Sequence, residues 1–432
     1  MEPVYDAIVI GGGPAGSTVA TCLAKARRRV LVLERERFPR FHVGESLLPY
    51  SLPIFERLGV AEKIRKAGFQ EKYGAFFWND MTGEGTRPVV FSDAFNDRHP
   101  MAYQVKRADF DDLLLKHAAE CGAEVRQETA VQDALFEGSR AVGVRAVSKD
   151  DRVEEIRARA VVDASGQGAF LSKKLGTRRF DSRLKRAALF AHYERIRWPE
   201  GHRPGDILLP IDAGVWYWII PFSDGSSSVG AVFEPSIARE SGAPGLEERF
   251  EFLLARSPRM PELLAGSRRI SKVFAISDYS ATSGKMAGDG YVLVGDAATF
   301  LDPVFSTGVF LALATGERAA RAVDRALAKH GRLDAKDLVH YEREAAKLFA
   351  RFRRFVYNFY DPVFFEAFCT PDPPEPMRKA VTTVLAGGVE SPPLALKIWT
   401  QLMLWAVGFD RLRRRIGLGP KPNTLGDERS AA

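Results

Sequence analysis

An α/β fold, with a nucleotide-type parallel sheet, a second and mostly antiparallel sheet inserted into it, and a helical C-terminal region, is predicted by three observations in the 432-residue sequence. First, the apolar run YDAIVI at 5–10 ends in the glycines GGGPAG, and a helix-forming stretch, Ser17 to Ala26, then leads to a second apolar run, VLVLE, at 30–34. That is the strand, turn, helix, strand order of a dinucleotide-binding unit. Second, the runs RAVVDASG at 159–166 and GYVLVGDAA at 290–298 also close on turn or acidic residues, so distant segments complete this unit. Third, the stretches between are rich in aromatics and alternate in polarity, as in SSSVGAVF at 226–233, which reads as antiparallel sheet.

The predicted organisation follows the chain. Residues 1–65, 106–175 and 276–335 form the discontinuous dinucleotide unit. Residues 66–105 and 176–275 form the inserted sheet. Residues 336–432 are helical. From Ser306 the pattern is helical over Val309 to Ala328 and Asp337 to Tyr360, and TPDPPEP at 370–376 interrupts it before more helix. The tail after Gly417 is expected to be disordered.

Composition excludes several classes. With 46% hydrophobic residues the chain supports a sizeable core. No apolar run reaches the roughly 18 residues of a membrane span, and the N-terminus has no signal-peptide pattern, so the expected location is cytoplasmic. Cys22, Cys121 and Cys369 have neither disulfide-frame nor metal-site spacing, and no metal is expected. The net charge of +7 suits an anionic cofactor, an acidic protein or a membrane surface. It has no nucleic-acid module beside it, so nucleic acid is not an expected partner. Arg411, Arg413, Arg414 and Arg415 follow the apolar stretch Leu394 to Phe409, an amphipathic helix with a basic end, expected to pack on the core with a solvated tip.

Gly11, Gly13 and Gly16 satisfy G-x-G-x-x-G between a strand and a helix. The first permits the tight turn, the second lets backbone approach a pyrophosphate, and the third lets helix and strand pack closely. Glu34, at the end of the second strand, is placed to bind ribose hydroxyls. Asp296, after the strand-like run Tyr291 to Val294, is placed at a strand end where a carboxylate accepts hydrogen bonds from a ribityl chain. The glycines alone leave FAD and NAD open.

GGGPAG, DASG at 163–166 and GDAA at 295–298 resemble the FAD-binding elements of glutathione-reductase-type flavoproteins, especially the aromatic hydroxylase branch, over most of residues 5–320. The resemblance implies FAD contacts at Gly11, Gly13, Ala15, Gly16, Glu34, Arg35, Asp163 and Asp296. Only one G-x-G-x-x-G is present, so a second nucleotide domain for NAD(P)H is not expected.

Three further motifs point to the reaction. WYWIIP at 216–221 matches the W-x-W-x-I-P signature of flavin-dependent halogenases at Trp216, Trp218, Ile220 and Pro221. In a strand, Trp216, Trp218 and Ile220 share one face and form a wall. The resemblance implies that this wall separates flavin from organic substrate, so that a flavin C4a-hydroperoxide meets halide and yields hypohalous acid instead of hydroxylating a ring. FLDPVFSTG at 300–308 resembles the family's F-x-x-P-x-x-S-x-G segment, with Ser306 a catalytic candidate, Pro303 and Gly308 flavin contacts, and Thr307 and Gly308 halide ligands. A helix starting there favours an anion at its N–H groups, and Ser306 or Thr307 capping that helix is compatible with the same reading. GFQEKYGA at 68–75 resembles the context of the family's essential lysine, here Lys72, which would hold hypohalous acid by hydrogen bonding or form a haloamine. GESLLP at 44–49 offers Glu45 and Ser46 near the flavin, and VKRADFD at 105–111 offers Arg107 as a flavin contact or a surface ion pair.

The expected activity is FADH2-dependent halogenation with O2 and chloride or bromide, acting on an electron-rich phenolic or pyrrolic ring. The resemblance implies a flavin reductase as partner and a small aromatic substrate, free or on a carrier protein. Two rivals share the FAD elements: a single-component aromatic monooxygenase using NADPH, and a geranylgeranyl-reductase-like flavoprotein. Neither requires Lys72, WYWIIP and FLDPVFSTG together.

Overall fold

The computed structural model describes residues 4–80, 88–95, 98–212, 214–370, 372–390 and 393–416; the tail expected to be disordered after Gly417 lies outside them. Six strands form the central sheet in the order Ala287–Gly288, Tyr291–Leu293, Val161–Asp163, Ala7–Ile10, Val30–Leu33, Glu124–Arg126. All pairs are parallel except the edge pair of Ala287–Gly288 with Tyr291–Leu293. Ile10 pairs with both Asp163 and Leu33, and Asp163 with Leu293. The strands therefore end level, and the turns GGGPAG, DASG and GDAA emerge together at the carboxyl edge, where open α/β sheets bind ligands.

The unbroken apolar runs of these strands follow from cover on both faces. Ala7 and Val9 pack with the helices Pro14–Lys25 and Thr307–His330. Ile8, Ile10, Leu31 and Leu33 pack against a three-stranded antiparallel meander, Thr129–Glu137, Arg140–Ser148 and Val153–Arg157. The sequence reading did not separate this meander, because its strands carry polar residues on their open face and imitate a surface segment.

The second sheet runs Arg268–Arg269, Ala187–Glu194, Ser226–Phe233, Val215–Pro221, Ile207–Asp212, Gly74–Asn79, Val89–Val90. It is antiparallel, as expected, except where Ile207–Asp212 runs parallel to Gly74–Asn79. Gln70–Lys72 leaves this sheet and pairs instead with Ala102–Gln104. The chain enters the second sheet at Gly74, where a Cβ would lie 2.2 Å from the carbonyl oxygen of Val89, so glycine is required for the pairing with Val89–Val90.

Helices Val339–Phe359, Pro362–Phe368, Glu375–Leu385 and Leu394–Arg415 complete the described chain. The expectation that the last of these packs on the core with only its tip in solvent needs correction. Leu396, Met403 and Val407 are buried, with Met403 and Val407 packing on Phe364, but the opposite face is exposed along the whole helix. No described helix is long and apolar enough to cross a membrane.

Candidate active site

A cavity of about 620 Å³ runs from the GGGPAG turn, past Glu34, Arg35 and Thr129–Val131, to Asp296, Pro303, Ser306 and Gly308. Its far wall is Trp216, Trp218 and Ile220. Gly11 adopts φ +100°, and a Cβ there would lie 2.6 Å from Ala164 O. A Cβ on Gly16 would lie 1.9 Å from Gly11 O, so the third glycine is required for helix and strand to touch. Gly13 caps the helix Pro14–Lys25 with no side-chain hydrogen bond, which leaves first-turn N–H groups for an anion.

The charged residues around this turn are held by named bonds. Glu34 is buried and accepts from Gly12 N at 2.7 Å and Glu36 N at 2.9 Å, while Arg35 reaches solvent. Arg107 is not in a surface ion pair: it is buried, bidentate to Asp111 at 2.7 and 2.8 Å, and donates to Val43 O at 2.7 Å. Asp163 also departs from expectation. Its carboxylate accepts from Ser165 N, Ser165 Oγ and Leu171 N, so it shapes the DASG turn from behind the lining. Asp296 does line the cavity, and burial pushes its carboxyl up to about 6 against the pull of Gln167, Arg107 and Arg178.

Two buried polar atoms in the lining have no protein partner among the described residues: Glu45 Oε2 and the Tyr279 hydroxyl. The other oxygen of Glu45 contacts His192 Nε2 at 2.9 Å. A 147-residue separation hid this pair from sequence reading. The glycine cradle, the free helix end and these orphaned polar groups fit FAD, which Gly11, Gly13, Glu34 and Asp296 would hold.

The wall has the predicted alternation. Trp216, Trp218 and Ile220 belong to the cluster that includes Val304, Phe305, Phe359 and Phe365. Val215, Tyr217 and Ile219 belong to a different cluster beneath the helix Leu246–Arg256. Pro221 ends the strand and lies outside the lining. Trp218 donates to Ser228 Oγ at 3.0 Å and lies over its cross-strand partner Gly230, where a Cβ would meet the indole at 2.2 Å. Trp216 donates to the Tyr360 hydroxyl at 2.9 Å, which donates in turn to Asp302 at 3.0 Å. Burial pushes the Asp302 carboxyl up to about 7. These braces, Gly230, Tyr360 and Asp302, were missed because only the fold brings them together.

Gly230→Ala is expected to retain flavin but displace Trp218, and, with the wall acting as the barrier that the halogenase resemblance implies, to lower halogenated product per O2 consumed on the order of 10-fold or more. Coupling equal to the parent's would remove Trp218 from the barrier.

Lys72 is fully buried and does not line the cavity. Its Nζ donates to Ser46 Oγ at 2.8 Å and Leu47 O at 3.2 Å, so it stands one side chain behind the lining residue Ser46. Ala102–Gln104 makes this possible: Gln104 pairs with Ser46 on one side and Gln70 on the other. Burial lowers the Lys72 amine to about 7, with Asp206 pulling the other way.

Ser306 and Gly308 line the cavity, whereas the Thr307 side chain is buried outside it. Ser306 has φ +55° and ends a turn in which its N–H donates to Pro303 O. It precedes the helix Thr307–His330 but makes no side-chain cap bond. Of the two capping candidates, Ser306 occupies the cap position without making the bond, and the first-turn N–H groups have no intrahelical acceptor.

The tryptophan halogenase family profile matches residues 6–97 and 91–389. The chain is 34% identical over 360 residues, 78% of its length and 79% of the relative's, to a 1H-pyrrole-2-carbonyl-[peptidyl-carrier protein] chlorinase of Pseudomonas fluorescens. It is 35% identical over 329 residues, 75% and 78% of the two chains, to the corresponding brominase of Pseudoalteromonas luteoviolacea. Among solved structures, the myxobacterial chondrochloren halogenase CndH, an FAD-dependent halogenase, superposes with a TM-score of 0.78 at 34% identity over 93% of this chain and 97% of that one. With the flavin cradle and the tryptophan wall on one cavity and the buried lysine one side chain behind its lining residue Ser46, these likenesses show that the chain belongs to the tryptophan halogenase family of flavin-dependent halogenases.

Proposed function

We propose that this chain halogenates a pyrrolic or phenolic ring presented on a carrier-protein arm, using reduced FAD delivered by a separate flavin reductase. The observation that supports this reading best is one cavity lined by the glycine turn at one side and the tryptophan wall at another, with a buried lysine one side chain behind its lining residue Ser46. The pyrrolyl-carrier chlorinase and brominase relatives support the substrate class. When bound, reduced FAD with O2 supplies the oxidising equivalent that converts chloride or bromide to hypohalous acid.

The chain's own groups do the rest. The N–H groups at the start of Thr307–His330 hold halide, and the left-handed turn at Ser306 aims them into the cavity. Trp216 and Trp218 exclude the ring from the flavin side. Lys72, held as a largely neutral amine above pH 7, attacks the halogen of hypohalous acid; an N–halogen bond forms, the O–halogen bond breaks, and water leaves with the amine proton. Ser46, bonded to Lys72 and facing the cavity, orients that amine.

The test needs no organic substrate. Protein loaded with FAD is reduced anaerobically and mixed with O2, with and without chloride or bromide, while flavin reoxidation is followed. Halide-dependent reoxidation with capture of a hypohalous acid probe is expected. Halide independence, with rapid flavin reduction by NADPH alone, would transfer the site to hydroxylation.

A further inference from the structure

The helix Leu394–Arg415 presents its second face to nothing in the described structure. Ile398, Leu402, Trp405, Phe409 and Leu412 recur at spacings of four, three, four and three, which places them within an arc of about 80° on one side of the helix. Trp405 is 72% and Phe409 65% exposed, where a buried helix would hide both. Leu394 and Ile416 extend the same ridge to both ends. Ridges of this length on monomeric proteins mark an interaction site.

Charge selects the occupant. The helix carries five cations and one acid, Asp410; Arg411 is paired with Asp361 at 3.0 Å, and Arg414 with Asp410 at 2.8 Å and Glu366 at 2.7 Å, so the charge offered outward rests on Lys397 and Arg415. Lys397 and Arg415 flank the ridge on one side, and both are exposed. A second copy of the helix would bring no acidic flank to pair with these cations, as helix pairs normally do. Residues 417–432 supply only Leu418 and Leu425 as large apolar residues, too few to cover the ridge. The ridge is convex along roughly 33 Å, so a protein partner would need a matching groove of that length, whereas an acyl-chain boundary accepts it without one.

We infer that this face is a docking surface for an anionic lipid bilayer, with the helix lying in the interface plane, Trp405 and Phe409 inserted, and the flanking cations on lipid phosphates. No described helix spans a membrane, so the attachment is peripheral. It anchors the body through Leu396, Met403 and Val407 and leaves the flavin cavity untouched.

The experiment is co-sedimentation of the FAD-loaded full chain with vesicles of phosphatidylcholine alone or mixed equally with phosphatidylglycerol. The parent is expected to pellet with the anionic vesicles at least about 10-fold more than with the neutral ones, and less at high salt. Trp405→Asp with Phe409→Asp is expected to abolish pelleting while circular dichroism and flavin retention match the parent. Lys397→Glu with Arg415→Glu is expected to remove the preference for anionic lipid. Absence of pelleting by the parent overturns the inference; a dimer by light scattering that the Asp variants dissolve assigns the ridge to a second copy, and capture by an acidic carrier protein alone assigns it to that partner. None of these readouts depends on halogenation.

Discussion

In a Lys72→Met variant, halogenated product falls by about 10²–10⁴-fold, the range lost with a positioned proton-transfer or nucleophilic group, while flavin binding and reoxidation stay at the parent level. The structure separates the two because Lys72 does not line the cavity; it acts through its own Nζ behind Ser46. Methionine fills the same apolar volume beside Phe91 without a charge to desolvate, so the melting temperature holds or rises. The parent enzyme carries a matching pH signature. With the amine lowered to about 7 from its ordinary 10.5, halogenation rises with pH and reaches half its limit near 7. Between about 7 and 10.5 the unfolded chain binds a proton at Lys72 that the folded chain does not, so this site adds stability as pH rises, and the slope vanishes in Lys72→Met. Parent-rate halogenation by the variant, or a rate that falls as pH rises through 7, would contradict the amine role.

Gly16→Val removes FAD altogether. Its Cβ would overlap Gly11 O at 1.9 Å, a backbone atom of the turn just after the first strand that no rotamer change can clear. The helix Pro14–Lys25 must then move off the sheet, and its N–H groups leave the pyrophosphate position. Purified protein is expected to be colourless, with flavin affinity lowered more than about 100-fold and stability lower by roughly 3 kcal/mol or more. Yellow protein with parent affinity would show that the turn tolerates a side chain and that the cavity is read in the wrong place.

The flavin elements were readable without coordinates because each rests on a local steric rule. Gly11 needs a left-handed φ, Gly16 needs room for a carbonyl, and a strand must put Trp216, Trp218 and Ile220 on one face whatever surrounds it. The family motifs were readable for the same reason, being short and contiguous. Reading failed where burial and side-chain direction, not residue type, choose a polar group's partner. Asp163 looked like a ligand contact but spends one oxygen on its own turn and the other on the N–H of Leu171 in the helix that follows. Arg107 looked equally like a surface group until Asp111 and Val43 enclosed it.

What the sequence alone determined, then, is the order of strands and helices, the glycine turns and the two faces of the tryptophan strand, all set by backbone sterics within a few residues. Only the tertiary structure decided that Lys72 stands behind Ser46, that Tyr360 and Asp302 brace Trp216, that Gly230 makes room for Trp218, and that the last helix keeps an apolar ridge in solvent. Those outcomes depend on burial and on contacts between residues as many as 144 positions apart, and neither quantity is encoded in any local window of the chain.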